Sequence, residues 1–213
     1  MRNESGTIAA ISTAMSNSGI GIVRMSGEEA VEIAERIYKG KNEKKLSKQP
    51  THTIHYGYIV DEEDTIDEVL VMLMRGPHSY TGEDTVEINC HGGVYITNKV
   101  VDLCLHHGAR LAERGEFSKR AFLNGRIDLS QAEAISDIIT AKNSYASSLA
   151  LKGIQGSISH FIKDLKEDLI QIITQIEVNI DYPEYEDVEE LTADKLLPMS
   201  TSLIEKMNKI IED

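Results

Sequence analysis

The stretch "TGEDTVEINCHGGVYITNKVVDLCLHHG", residues 81–108, decides the fold of the first half of this chain. Its first part alternates apolar and polar residues with a period of two, which predicts a strand. Two glycines, Gly92 and Gly93, follow that strand. Apolar residues at helical spacing then continue to Gly108, which predicts a helix that ends there. The stretch therefore predicts a strand, a tight turn and a helix.

Apolar runs before this stretch predict further strands. They are "GIGIVRM" (residues 19–25), "THTIHYGYIV" (51–60) and "EVLVMLMR" (68–75). The last of them is apolar on both faces, which suits a central strand. Residues 27–40, "GEEAVEIAERIYKG", predict a helix bounded by glycines. Together these elements indicate a mixed α/β domain in the first half.

The second half predicts helices only. Ser130 and Glu133 have the spacing of a capping box at the start of the first one. Apolar residues recur every three or four positions over residues 158–180, and we expect Pro183 to stop that helix. A last helix keeps its apolar pattern up to the final residues, from which we expect a fragment cut inside or just after a helix. The fold class is thus α+β, with a mixed α/β domain followed by an all-α segment.

Composition excludes several classes of function. The net charge is −13, and residues 1–118 carry 12 basic and 18 acidic side chains against 10 and 17 in residues 119–213. Both parts are acidic overall, which argues against a general nucleic-acid surface, because binding to phosphates needs an excess of clustered Lys and Arg. No apolar run approaches the roughly 20 residues of a membrane span, and the first residues do not resemble a signal peptide. The expected location is the cytoplasm, with no membrane association and with both cysteines reduced.

Cys90 and His91 invite interpretation as a nucleophile with its base. Neighbouring side chains of a strand point to opposite faces, so these two cannot form a dyad. Cys90 shares its face with Val86 and Ile88, which predicts a buried core position. The other face carries Glu87 with His91.

Glu87 lies just before a glycine turn, where a ligand can approach the backbone closely. An ordinary polar strand face is the competing interpretation. Near the junction of the two halves, five basic residues form a cluster that could hold an anion or could pair with neighbouring acids. They are Arg110, Arg114, Lys119, Arg120 and Arg126.

Cofactor and metal motifs are weak. The sequence contains no GxxxxGK[ST] phosphate loop, and "SGIGIVRMSG" lacks the full dinucleotide fingerprint. No histidine and cysteine spacing supplies more than two ligands on one face, so we predict no metal site. No catalytic residue is predicted either.

Four strings resemble one family closely and in order: "GIGIVRMSG", "PHSYTGEDTVEINCHGG", "GEFSKRAFLNGRIDLSQAEAISDII" and "NIDYPEYE". They are similar to the N-terminal portion of the tRNA-modification GTPase family MnmE, also called TrmE. The resemblance implies that residues 1–118 form a tetrahydrofolate-binding α/β domain, similar in fold to folate-dependent aminomethyltransferases, that builds a homodimer. Residues 119–213 would be the first part of a helical domain, truncated before an inserted GTPase domain.

The resemblance also implies a function for the whole protein. The family works with a flavin-containing partner, MnmG, to add an aminomethyl or carboxymethylaminomethyl group to C5 of the wobble uridine of tRNA. The one-carbon unit would come from a tetrahydrofolate derivative, either 5-formyl- or methylene-tetrahydrofolate. GTP, potassium and magnesium would belong to the GTPase domain, which is not in this sequence.

Three folate-binding positions follow from the matched motifs: Arg24, Glu87 and Arg126. His91 is a second-rank candidate, because it shares a strand face with Glu87. Two positions depart from the family pattern, Gly6 where aspartate is usual and Arg114 where proline is common. Neither departure affects the three folate positions.

Two other functions are compatible with the sequence. The chain could be a purely structural module, in which the α/β domain dimerises and the helices dock a GTPase domain without folate chemistry. It could also be a free-standing folate aminomethyltransferase, although that class needs no long helical half.

Overall fold

The computed structural model describes residues 6–41, 44–181 and 193–212. The chain divides into two compact units, Met1–Ala132 and Glu133–Asp213. Among the described residues, the first unit contains a sheet with helices packed on it and the regular elements of the second are all helices, which confirms the α+β class predicted from the sequence. The division of function between residues 1–118 and 119–213 stays a prediction.

A seven-stranded sheet organises the first unit, in the order β3-β4-β5-β6-β2-β1-β7. β1 and β7 pair in parallel, and every other neighbouring pair is antiparallel. The strands are β1 (Ile8–Ile11), β2 (Gly21–Ser26), β3 (Tyr38–Gly40), β4 (Thr53–Asp61), β5 (Asp64–Met74), β6 (Thr85–Cys90) and β7 (Arg110–Leu111). The strands predicted for the three apolar runs and for residues 83–91 are therefore confirmed, and β5 is an interior strand as its sequence suggested.

One face of the sheet is covered by two helices, α1 (Ala30–Ile37) and α2 (Val94–His106). Val86, Ile88 and Cys90 all point into the core beneath them. Burial raises the pKa of the Cys90 thiol to about 11 and that of the Cys104 thiol to about 12. The prediction that Cys90 is a core residue is confirmed, because a buried thiol that stays protonated is no nucleophile.

The opposite face of the sheet is exposed over β4 and β5. Ile54, Tyr56 and Leu70 point outward there, with 61%, 47% and 47% of their surfaces exposed. Arg24, Glu87 and Met72 lie in one row across this face, because β2, β6 and β5 are paired at those positions. We call it the outer face, and every expected folate position on a strand lies on it.

The helix predicted for residues 27–40 ends at Ile37, and the next three residues form the edge strand β3 instead. Tyr38 accounts for the change. Its ring lies over Gly57, where a Cβ atom would approach a ring carbon to 2.4 Å, and its hydroxyl donates to the Tyr56 carbonyl at 2.7 Å. Helical periodicity continues to Tyr38, but pairing with β4 determines the backbone.

The turn at Gly92 is closed by the chain itself. A Cβ on Gly92 would lie 2.6 Å from the Ser18 carbonyl oxygen and 2.7 Å from the Ile20 carbonyl carbon. The Ser18 amide also donates to the Gly92 carbonyl at 3.0 Å. The sequence suggested that a ligand approaches this backbone. At Gly92 that space is instead occupied by the loop between β1 and β2.

The remaining helices are α3 (Glu116–Leu123), α4 (Leu129–Thr140), α5 (Ser144–Ile154), α6 (Ser157–Asp181) and α7 (Ala193–Glu212). The predicted capping box at Ser130 and Glu133 is wrong by two residues. Asp128 Oδ1 accepts from the Gln131 amide at 2.8 Å, and Gln131 Oε1 accepts from the Asp128 amide at 3.0 Å. Ser130 donates its hydroxyl to Asp128 instead, at 2.7 Å. Aspartate with glutamine three residues later satisfies the same pair of amides.

In the second unit, α6 packs against α7. Lys206 and Asp168 join them with an ion pair of 2.6 Å. Ile172 is buried on α6, but Ile162 and Ile180 of the same predicted stripe are more than half exposed. The predicted stop at Pro183 and the acidic loop after it lie outside the described residues. None of the described helices is both long enough and apolar enough to cross a membrane.

Candidate ligand-binding site

Arg24 and Glu87 meet on the outer face of the sheet. They lie directly opposite each other on the antiparallel strands β2 and β6. Arg24 Nε donates to Glu87 Oε1 at 2.7 Å, and Nη2 lies 2.6 Å from the same oxygen. The side chains are 28% and 13% exposed. The pair is thus partly buried and still reachable from solvent.

Two aromatic rings lie beside the Arg24 guanidinium. Its Cζ is 5.5 Å from the centroid of Tyr80 and 5.7 Å from that of Phe117. Tyr80 belongs to the loop between β5 and β6, which we call the 75–84 loop, and Phe117 belongs to α3. The Tyr80 and Ser118 hydroxyls are 2.8 Å apart, so the loop and α3 are joined next to the arginine.

The pair keeps hydrogen-bonding capacity for a ligand. Both Arg24 contacts go to Oε1 of Glu87, and among the described residues neither Oε2 of Glu87 nor Nη1 of Arg24 has a hydrogen-bond partner. A carboxylate offers about four lone-pair sites, of which Arg24 takes two. The site can therefore accept two further hydrogen bonds at Glu87 and donate two from Nη1.

Arg126 reaches the same loop from the turn after α3. Its Nε donates to the Ser79 carbonyl at 3.2 Å, one residue before Tyr80. The structure thus brings Arg24 and Glu87 into contact and attaches Arg126 to the loop that packs on Arg24. This places all three expected positions around one loop.

His91 contacts Asp67 and not Glu87. Its Nδ1 is 2.6 Å from Asp67 Oδ1, and its amide donates to Asp67 Oδ2 at 2.7 Å. The hydrogen bond to Asp67 raises the pKa of His91 above its ordinary value. His91 follows Glu87 by four residues, about 13 Å along the strand direction. It lines a separate cavity of about 390 Å³ with Tyr56, Leu70 and Asn89 on the same outer face.

A network of charged side chains fixes the 75–84 loop. Arg120 donates to both carboxylate oxygens of Glu83, at 3.1 and 3.0 Å, and to the Gly6 carbonyl at 2.6 Å. Ser26 on β2 donates to Glu83 Oε2 at 2.7 Å. Arg110 forms a two-pronged pair with Glu116. Arg110 and Arg120, two members of the basic cluster, therefore pair with neighbouring acids, as the simpler interpretation of that cluster predicted.

This network predicts a pH dependence of stability. The hydrogen bond from Arg110 is the largest cause that lowers the pKa of Glu116, to about 2. The unfolded value is near 4.3, so the carboxylate stabilises the fold above about pH 4.5 and that contribution is lost as the pH falls towards 2. We expect Glu116→Gln to lower the free energy of unfolding by on the order of 2 kcal/mol at neutral pH, less than the full pKa shift implies because solvent screens Arg110.

Urea unfolding at several pH values measures this difference. It should shrink to about half near pH 3 and mostly vanish near pH 2. Glu32→Gln, which changes an exposed carboxylate on α1, is the matched control and should show little effect at any pH. A Glu116→Gln deficit that stays constant from neutral pH down to pH 3 would contradict the assignment.

The sequence did not identify Tyr80, Phe117 or Glu83 as parts of the site, and it identified Arg120 only as a member of the basic cluster. All four residues lie inside the motif strings "PHSYTGED" and "GEFSKRAF", which was the one available signal. Their contacts join a loop, a helix and a strand that are far apart in sequence. No local periodicity encodes such contacts.

The fold is an α+β domain with a partly buried arginine and carboxylate pair on the exposed face of its sheet, followed by helices. Comparison with family models adds two matches. Residues 7–126 match "GTP-binding protein TrmE N-terminus", and residues 129–213 match "MnmE helical domain".

Relatives with curated names match nearly the whole chain. A tRNA modification GTPase MnmE from Staphylococcus epidermidis is 51% identical over 208 residues, and one from Bacillus pumilus is 52% identical over 207. These matches cover 97% and 96% of this chain but 45% of each relative. The chain belongs to the MnmE (TrmE) family, and it spans a little under half the length of the relatives it matches.

Proposed function

We propose that this chain is the folate-binding and dimerising portion of a tRNA-modification GTPase. The observation that carries the proposal is the Arg24–Glu87 pair, partly buried but reachable from solvent on the outer face, within the segment that matches the TrmE N-terminus. Three features support a small, flat, polar ligand: a carboxylate with free acceptor sites, a guanidinium with free donors and two adjacent aromatic rings.

A tetrahydrofolate derivative suits these groups. The amino and amide edge of its pterin ring presents two donors, which equals the number of acceptor sites that Arg24 leaves on Glu87. Arg24 Nη1 and the Arg126 guanidinium can each fork onto a carbonyl or a carboxylate of the same ligand. When bound, 5-formyl- or methylene-tetrahydrofolate supplies a one-carbon unit. Glu87, Arg24 and Arg126 bind and orient it.

Dimerisation is proposed for the same unit. The exposed Ile54, Tyr56 and Leu70 give the outer face an apolar surface of the kind that self-association buries. A two-fold axis would place this patch against its own copy. The interface of the expected homodimer would then lie beside the ligand site on the outer face.

The complete reaction needs parts that this chain lacks. The sequence has no GxxxxGK[ST] loop, so GTP hydrolysis with potassium and magnesium is assigned to the remainder of the full-length protein. We propose that the full protein acts in the cytoplasm with the flavoprotein MnmG to add an aminomethyl or carboxymethylaminomethyl group to C5 of the tRNA wobble uridine. A net charge of −13 favours tRNA contact through the partner or the remaining domains.

Isothermal titration calorimetry of the 213-residue chain with 5-formyltetrahydrofolate tests the proposal. We expect saturable heat with one site per chain, and weaker binding by Arg126→Met than by the native chain. Lys152→Met, an exposed cation on α5, is the matched control and should bind as the native chain does. Absence of binding heat from the native chain at ligand concentrations of about 1 mM would reject folate binding at this site.

A purely structural module is the second candidate. The exposed apolar residues of α6, including Ile162 and Ile180, favour it because they need a partner surface irrespective of any ligand. Sedimentation velocity separates the two functions in combination with the titration. A dimer without folate affinity would support the scaffold, whereas a monomer at micromolar concentration would count against dimerisation in both.

A further inference from the structure

Glu87 alone does not fix the orientation of the Arg24 guanidinium. Both of its contacts, from Nε and from Nη2, end on the single oxygen Oε1. Two donors on one oxygen act as a pivot, about which the guanidinium plane can tilt and turn. A two-pronged arrangement with both carboxylate oxygens would not allow that motion.

The two aromatic rings provide the missing restraint. Tyr80 and Phe117 contribute ring faces within 6 Å of Arg24 Cζ, and they come from different elements of the fold. A planar cation packs on ring faces both electrostatically and by stacking. Contact with two such rings restricts the tilt that the pivot at Oε1 leaves open.

The rings are themselves held in place. The Tyr80 hydroxyl lies 2.8 Å from that of Ser118, the residue after Phe117. The Ser79 carbonyl accepts from Arg126, and the Ser79 hydroxyl donates to the Glu83 carbonyl at 2.5 Å. The position of Tyr80 is thus restrained by the contact of its hydroxyl with Ser118 and by the hydrogen bonds of the preceding residue, Ser79. Movement of the 75–84 loop would displace the ring.

We infer that Tyr80 and Phe117 are positioning residues that clamp the Arg24 guanidinium and aim its Nη1 at the ligand. The inference rests on the proposed function for the identity of the ligand, a tetrahydrofolate, but the clamp itself concerns only Arg24. It assigns Arg126 an indirect role as well, since Arg126 holds the loop that carries Tyr80. Ordinary packing of two half-buried rings is the alternative, and it predicts a loss of stability without a change in the order of Arg24.

Nitrogen-15 relaxation of the arginine Nε–Hε groups distinguishes the two. The chain has eight arginines, so the spectrum is sparse, and Arg24→Lys identifies the Arg24 signal by its loss. In the native chain, the heteronuclear nuclear Overhauser effect measured at Arg24 Nε should have the high value of a rigid group. In Phe117→Leu and in Tyr80→Leu it should fall towards that of the exposed Arg114. Phe117→Tyr keeps both rings and the contact between the Tyr80 and Ser118 hydroxyls, and it should keep Arg24 rigid.

Affinity for 5-formyltetrahydrofolate gives the second measurement. The leucine variants should bind roughly 3- to 20-fold more weakly, and Phe117→Tyr, which keeps the ring, should retain most of the affinity that Phe117→Leu loses. Tyr95→Leu removes an exposed ring from α2 and is the control for loss of an aromatic residue. Phe117→Met retains bulk and replaces Phe117→Leu if the latter does not fold.

The outcomes separate the clamp from the ligand. An Arg24 signal that stays rigid in both leucine variants overturns the clamp, whatever happens to affinity. If Arg24 is mobile in those variants and the native chain binds no folate, the clamp is supported and the proposed ligand is rejected. Mobile Arg24 with unchanged folate affinity overturns the positioning role.

Discussion

Glu87→Gln is expected to lower the affinity of the chain for 5-formyltetrahydrofolate by about 30- to 1000-fold. Hydrogen bonds to a charged group contribute about 1.5–3 kcal/mol each, and the amide can accept at one atom only. The substitution also removes the counter-charge of Arg24, whose Nε and Nη2 both contact Glu87. Calorimetric titration of the native and variant chains measures the change.

The control is Asp102→Asn, which removes one negative charge from an exposed position of α2, on the covered side of the sheet. It should change the affinity by less than about 2-fold, since exposed charges at a distance are screened. A double-mutant cycle with Arg24→Met should show strong coupling, because the two side chains act as one unit. An affinity of Glu87→Gln within about 3-fold of the native value would exclude Glu87 from the site.

Arg120→Met is expected to reduce the free energy of unfolding by about 2–4 kcal/mol. Arg120 is 8% exposed and donates to Glu83 and to the Gly6 carbonyl. Removing one member of a buried ion pair typically costs about 3–5 kcal/mol, and the loss is smaller here because 27% of the Glu83 side chain reaches solvent. Methionine keeps most of the aliphatic volume, so the effect reports the lost charge and hydrogen bonds.

Urea denaturation at neutral pH measures the loss. Arg36→Met is the matched control, since Arg36 is exposed and donates to one carbonyl, that of His107, at 2.9 Å. It should reduce stability by less than about 1 kcal/mol. Equal effects of the two substitutions would show that the Glu83–Arg120 pair does not anchor the loop.

Much of the first unit could be predicted from local pattern. The alternation in residues 83–91 correctly separated Cys90 from Glu87, because the period of two is a property of any extended strand. Predicted ends were less accurate. Tyr38 left its helix to pair with β4, and the capping box starts at Asp128 rather than at Ser130. In each case a contact that the pattern does not contain determined the boundary.

The site could be predicted in part. The resemblance to the family supplied Arg24, Glu87 and Arg126 as ligand residues, and strand alternation directed Glu87 away from the core. His91 was added because it shares that face. It lies just after the end of β6, and its ring contacts Asp67 on β5. Sharing a face does not bring two side chains together when they lie four residues apart.

The sequence by itself determined the strands β2, β4, β5 and β6, the outward direction of Glu87 and the burial of Cys90, since these follow from periodicity within one segment. It did not determine the short strands β1, β3 and β7, which depend on pairing with neighbouring strands. Only the tertiary structure decided that Arg24 pairs with Glu87, because that contact depends on the register between β2 and β6. The same holds for the placement of Tyr80 and Phe117 beside Arg24. A loop, a helix and a strand meet there through long-range packing, which no local pattern specifies.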